Sequence, residues 1–184
     1  MTNFSKWLLK KLGWTVKIEI GEIPDKCVIC VAPHTSNWDL IMGKLAYWSL
    51  GKDARFLIKK SWTVFPLSLV INRMGAIPVD RTRKTDVTKQ VAKLFDEHDK
   101  FQVAVAPEGT RKHNPNWKKG FYYIALEAHV PIVLACMDYA KKEMSFGKLF
   151  IPTGDIEKDM TEIQSFYIGA SGKNPKDFAI KEKS

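Results

Sequence analysis

Short apolar runs alternate with segments in which apolar residues recur every three or four positions. The runs are Val16 to Ile20, Cys27 to Ala32, Arg55 to Ile58, Ile77 to Val79, Phe101 to Ala106, Ile132 to Met137 and Lys148 to Ile151. Each has strand length, so each is read as a β-strand. Helical spacing joins Leu40, Ile41, Leu45 and Trp48, then Val87, Val91, Leu94 and Phe95, then Ile156, Met160, Ile163 and Tyr167. Strand alternating with helix predicts an α/β domain: a mixed, mainly parallel sheet of about six to seven strands flanked by helices. In such sheets ligands collect beyond the carboxyl ends of the strands.

The first dozen residues carry a separate pattern. Phe4, Trp7, Leu8 and Leu12 share one helical face and Lys6 and Lys10 oppose it, so residues 1–14 are expected to form an amphipathic helix. The pattern fits equally a helix lying on a lipid surface and one packed on the domain's own core. At the other end, residues 172–184 read as a polar, loosely ordered tail. Nothing divides the chain, so residues 1–184 are expected to form one domain.

Composition narrows the class. With 184 residues, 45% apolar and 27% charged, the chain is long enough to fold around one core without disulfide or metal. Cys27 and Cys30 lie three apart within a strand, on opposite faces, which argues against a metal or redox pair. Three free thiols suit a reducing compartment, and the expected location is cytoplasmic. The longest apolar stretch, Val64 to Val79, is broken by Asn72, Arg73 and prolines 66 and 78, short of the ~20 apolar residues a bilayer crossing needs. The formal charge of +9 calls for an anionic partner, either nucleic acid or anionic lipid. No interleaved basic and aromatic run supports nucleic acid, so an anionic membrane surface is the expected partner. Trp7 and Trp117 are the tryptophans placed to act as interfacial anchors.

Three segments just after predicted strands hold the reactive side chains. In Val31-Ala32-Pro33-His34-Thr35-Ser36-Asn37-Trp38-Asp39, a turn entering a helix brings the Asp39 carboxylate back to the His34 imidazole. A carboxylate there fixes the tautomer and leaves the other ring nitrogen to accept a proton. Ser36 and Asp39 fit a helix N-cap as well, a purely structural alternative. Gly75-Ala76-Ile77-Pro78-Val79-Asp80-Arg81 ends a helix at glycine and delivers Arg81 from a strand; the arginine fork suits phosphate oxygens. Pro107-Glu108-Gly109-Thr110-Arg111 supplies hydrogen-bonding groups, a glycine permitting close approach, and a second arginine. Lys59 and Lys60 add charge, and a solvated pair accounts for them. A serine or cysteine hydrolase is a poor rival, since there is no Gly-x-Ser-x-Gly elbow and the cysteines sit in apolar strands away from His34.

With Val130-Pro131-Ile132-Val133, these make four ordered blocks across residues 34–133, and through them the chain resembles the glycerolipid acyltransferases typified by 1-acylglycerol-3-phosphate acyltransferase. The resemblance implies that His34 is a general base and Asp39 its partner. It implies that Gly75, Arg81, Glu108, Gly109, Thr110 and Arg111 bind the acceptor. It further implies an acyl thioester donor, acyl-CoA or acyl-ACP, a lysophospholipid acceptor, no metal and no other cofactor. The expected function is acyl transfer in phospholipid biosynthesis at the cytoplasmic face of the membrane. The alternative is a non-catalytic peripheral protein that binds anionic lipid headgroups. Ala106, Lys112 and Leu134 depart from the family's pattern, which leaves acceptor and chain length open.

Overall fold

The computed structural model describes residues 2–59, 67–79 and 84–181. Among these residues seven strands are present: β1 (Thr15–Ile18), β2 (Lys26–Ala32), β3 (Arg55–Lys59), β4 (Ala76–Val79), β5 (Phe101–Val105), β6 (Ile132–Asp138) and β7 (Glu143–Phe150). They form one sheet in the order β1-β7-β6-β2-β5-β3-β4. Every pairing is parallel except the β6–β7 hairpin. The helices are α1 (Thr2–Lys11), α2 (Trp38–Ser49), α3 (Leu67–Arg73), α4 (Lys84–Glu97), α5 (Gly120–Glu127) and α6 (Ile156–Ser165). The mixed, mainly parallel α/β sheet read from the sequence is therefore the observed fold.

The central strands are buried on both faces, which is why they read as continuous apolar runs. Val28, Cys30 and Ala32 of β2 and Ile132 and Leu134 of β6 join Val91 and Phe95 of α4, Phe121 and Tyr122 of α5 and Ile163 of α6 in one core. Their neighbours Cys27, Ile29, Val133, Ala135 and Met137 face the other way, toward Leu9 of α1 and Met42, Leu45 and Ala46 of α2. Cys27 and Cys30 thus lie in separate cores, and burial pushes the Cys27 thiol up to about 12, as expected for inert structural thiols.

The faces of α4 and α6 follow the predicted spacing, with Val91, Phe95, Met160, Ile163 and Tyr167 buried. In α2 the expected face is corrected. Leu45 is buried, but Leu40 and Ile41 are exposed while Met42, Ala46, Tyr47 and the polar Asp39 and Lys44 turn inward. The buried lysine is partnered, its Nζ donating to Asp53 Oδ1 at 2.6 Å and to the Ala54 carbonyl at 2.7 Å. Such pairing is what permits a charge inside. Strand β7 is longer than predicted, beginning at Glu143, because Met144 and Phe146 alternate inward along the hairpin.

The expected loose tail is also corrected over residues 172–181; residues 182–184 lie outside the described residues. After α6 the chain crosses back over the domain as a strap, with a 3₁₀ turn at Pro175–Asp177. Phe178 and Ile180 pack against the core, and the Trp117 indole donates to the Ala179 carbonyl at 2.9 Å. Trp117 is itself buried, at 6% exposure, so it is no interfacial anchor.

Candidate active site

Strand β2 sits mid-sheet and releases the chain at its carboxyl end through Pro33 into His34. Residues 35–37 then turn into α2, whose first turn carries Asp39. Asp39 Oδ2 accepts the amides of Thr35 and Ser36, both at 2.8 Å, and lies 3.1 Å from His34 Nδ1. Its Oδ1 accepts the Tyr139 hydroxyl at 2.7 Å. Burial opposes ionisation of this carboxyl, but the hydrogen bonds from His34, Tyr139 and Ser36 outweigh it and hold Asp39 below the usual carboxylate range. An ionised carboxylate at Nδ1 selects the tautomer with the proton on Nδ1, leaving Nε2 able to accept another. The imidazole is 28% exposed and its carboxylate 3%, so the charge is sheltered while the ring meets solvent. The N-cap position of α2 falls on Asn37, whose side chain makes no capping bond, while Ser36 Oγ, one residue earlier, accepts the Trp38 amide at 3.2 Å.

The loop after β5 abuts the same residue. Glu108, 2% exposed, turns inward, and its Oε1 accepts the backbone amide of His34 at 2.7 Å. Its Oε2 has no hydrogen-bond partner among the described residues, and burial raises the carboxyl's proton affinity despite the amide bonds that lower it. The resemblance puts Glu108 on the acceptor; its carboxyl here braces the backbone of His34. Gly109 follows at φ +66°, where an added Cβ would also lie 2.9 Å from Lys118 Cγ, so glycine suits this turn. Thr110 and Arg111 complete the loop on the exposed surface. The structure therefore brings together His34, Asp39 and Glu108, with Gly109, Thr110 and Arg111 on the adjoining loop.

Gly75 ends α3 at φ +85°, buried against the Arg55 side chain and Lys44 Nζ. Arg81 and Lys60 lie outside the described residues. Among the described residues no cluster of three His, Cys, Asp or Glu stands at metal-binding distance, and no helix is long and apolar enough to cross a membrane.

Three contacts to this loop escape sequence reasoning. Tyr139 follows β6. Asn174, in the strap, donates its amide to Thr35 Oγ1 at 3.1 Å and its side-chain amide to the Thr35 carbonyl at 2.9 Å. Gly172 lies so close that an added Cβ would stand 2.6 Å from Thr35 Oγ1. A signal existed for Tyr139 alone, as a polar residue leaving the carboxyl end of the strand beside β2.

The two oxygens of Glu108 lead to a stability prediction. A carboxyl whose folded proton affinity is raised contributes stability present below the unfolded value, about 4.3, and lost as pH rises through the folded value. Glu108→Gln keeps an acceptor for the His34 amide and removes the ionisation. Thermal melts from pH 4 to 8 are therefore expected to show Glu108→Gln gaining on the wild type as pH rises. Glu108→Ala, which orphans the amide, is expected to lose about 1–3 kcal/mol throughout.

The family model described as Acyltransferase matches residues 16–138. Human 1-acyl-sn-glycerol-3-phosphate acyltransferase alpha is 40% identical over 83 residues, which cover 39% of this chain and 29% of that protein. The human beta protein is 26% identical over 143 residues, covering 74% of this chain and 50% of its own length. An uncharacterized acyltransferase of Schizosaccharomyces pombe is 28% identical over 152 residues, covering 77% and 51%. The chain thus spans about half or less of the length of these curated relatives. In fold it is similar to the crystal structure of the 1-acyl-sn-glycerophosphate acyltransferase PlsC from Thermotoga maritima. The TM-score is 0.63 at 18% identity, over 90% of this chain and 74% of that one.

Proposed function

Because the chain belongs to the Acyltransferase family, we propose that it moves a fatty acyl group from an acyl-CoA or acyl-ACP thioester to the free hydroxyl of a lysophospholipid-type acceptor. 1-Acylglycerol-3-phosphate is the acceptor favoured by the relatives' names, and the step belongs to phospholipid biosynthesis. The observation that carries this reading is the His34–Asp39 pair, whose carboxylate is fully engaged while the ring remains partly exposed.

In the proposed reaction the acceptor oxygen attacks the thioester carbonyl carbon as its proton passes to His34 Nε2. An alcohol is too weak an acid for an imidazole to ionise beforehand, so the two events occur together. Asp39 stabilises the imidazolium that results. Collapse of the tetrahedral intermediate breaks the carbon–sulfur bond, and the leaving sulfur takes the proton from His34 as free thiol. Loop amides stabilise the oxyanion. Arg111 and Arg81, with Gly109 and Thr110, hold the acceptor's phosphate and glycerol, which positions its hydroxyl. Gly75, buried at the amino end of β4 beside Arg55 and Lys44, lies at the opposite end of the sheet and only turns the chain into that strand. No step in this balance calls for a metal or prosthetic group.

We place the reaction at the cytoplasmic face of an anionic membrane. Helix α1 is fastened by Ser5 and Leu9, yet leaves Phe4 62% and Trp7 54% exposed, with Lys11 Nζ 5.1 Å from the Trp7 ring. Such a stripe beside lysines suits a lipid interface. Deleting α1 would remove Leu9 from the core, so point changes are the better probe. Phe4→Ser with Trp7→Ser is expected to weaken binding to anionic vesicles about tenfold or more, since burying one aromatic is worth about 1.5–3 kcal/mol. Turnover of a soluble short-chain acceptor should change far less; equal losses would mark α1 as structural.

The reaction itself is tested by supplying the purified protein with a thioester donor and a panel of lysophosphatidic acid, other lysophospholipids and aminoacyl lyso-lipids. Free thiol is expected only when an accepted lyso-lipid is present. Vesicle binding with background thiol release throughout the panel would favour the non-catalytic lipid binder instead.

A further inference from the structure

Asp39 has two carboxylate oxygens, and their partners differ in origin. Oδ2 takes its donors from the loop of His34 itself: the Thr35 and Ser36 amides and the imidazole. Oδ1 takes the hydroxyl of Tyr139, one hundred residues away in the chain. A carboxylate held at one oxygen remains able to rotate about Cβ–Cγ, because that torsion is broad and soft. A donor on the second oxygen fixes its plane, and that plane sets how squarely Oδ2 meets Nδ1.

The tyrosine is held from outside the catalytic loop. Its amide donates to the Ser171 carbonyl of the strap at 2.8 Å, and its ring meets the edge of Trp14 at 4.9 Å and 86°. Just before it, Asp138 Oδ1 accepts the amides of Ala140 and Lys141, closing the turn from β6 to β7. Segments after α1, β6 and α6 therefore converge on this one tyrosine. Burial and the neighbouring Asp39 both raise the phenol's proton affinity, so it remains a donor.

We propose that Tyr139 is a positioning residue for acyl transfer, acting through Asp39 to hold the His34 ring in its base-competent tautomer. This deepens the function proposed above and rests on it for the kinetic part of its test. Tyr139→Phe keeps the ring against Trp14 and removes only the hydroxyl. The expected result is a fall in kcat of about tenfold, the size of one hydrogen bond to a charged group, with KM for donor and acceptor unchanged. In an Asp39→Asn background the same change should cost nothing further, because the shared partner is already altered.

The ¹⁵N spectrum of the His34 ring supplies a readout independent of turnover. The wild type should show the Nδ1-protonated form alone, and Tyr139→Phe a mixture with the Nε2-protonated form. An unchanged tautomer, an unchanged kcat, or equal losses in the Asp39→Asn and wild-type backgrounds would overturn the proposal. A wild type without turnover would refute acyl transfer, while the ring spectrum would still decide whether Tyr139 orients His34.

Discussion

His34→Ala is expected to lower acceptor-dependent thiol release by about 100- to 10,000-fold, the range general-base assistance supplies. The loss should fall on kcat, with little change in KM for either substrate, because the ring's work is done as the proton moves. Folding should survive. The side chain is 28% exposed, and Asp39 retains its bonds from Thr35, Ser36 and Tyr139. A melting temperature close to wild type would therefore accompany the lost turnover. A variant with near-wild turnover would remove His34 from the chemistry.

The second large effect is expected at Asp39. Asp39→Asn lowers kcat by about 100-fold or more, because an amide facing Nδ1 no longer selects the tautomer that leaves Nε2 free. It also destabilises the fold by about 1–3 kcal/mol, since an asparagine accepts at only one of the two positions where donors converge. The destabilisation has a definite pH dependence. The folded carboxyl lies below its usual range, so its contribution is present above the unfolded value of about 3.9 and is lost as pH falls through the folded one. The wild type's advantage over Asp39→Asn should be full at pH 7 and shrink below about pH 4. An advantage independent of pH would mean the carboxylate's charge plays no part in the loop.

The sheet was legible because β2, β5 and β6 are covered on both faces and read as apolar runs of strand length, interrupted only by Gln102 in β5. Strand β7 was half read. Glu143, Ser145 and Gly147 interrupt it, and only its pairing with β6 explains why it starts so early. The face of α2 was misread for a related reason. That helix is buried on most sides and takes Asp39 and Lys44 inside, so apolar spacing no longer marks the core side. The strap after α6 was mistaken for a loose tail because its ties are a few backbone and amide hydrogen bonds plus Phe178 and Ile180. Composition does not display such ties.

In the site, proximity in sequence decided what could be read. Only four residues separate His34 from Asp39, and the turn joining them is local. Glu108 was found as a motif member, but its inward course toward the His34 amide depends on β2 and β5 pairing side by side. Tyr139 belongs to no recognised block and reaches Asp39 only through the placing of β6 next to β2. Strand neighbours are set by the sheet as a whole, which one sequence does not spell out.

The most direct measurement follows both products at once. Wild-type protein is given a labelled long-chain acyl thioester and lysophosphatidic acid in anionic vesicles, with mass spectrometry of the lipid and titration of the thiol. One labelled diacyl phospholipid is expected for each thiol freed, and no thiol without acceptor. Thiol released without acceptor, or labelled fatty acid in place of labelled phospholipid, would contradict it.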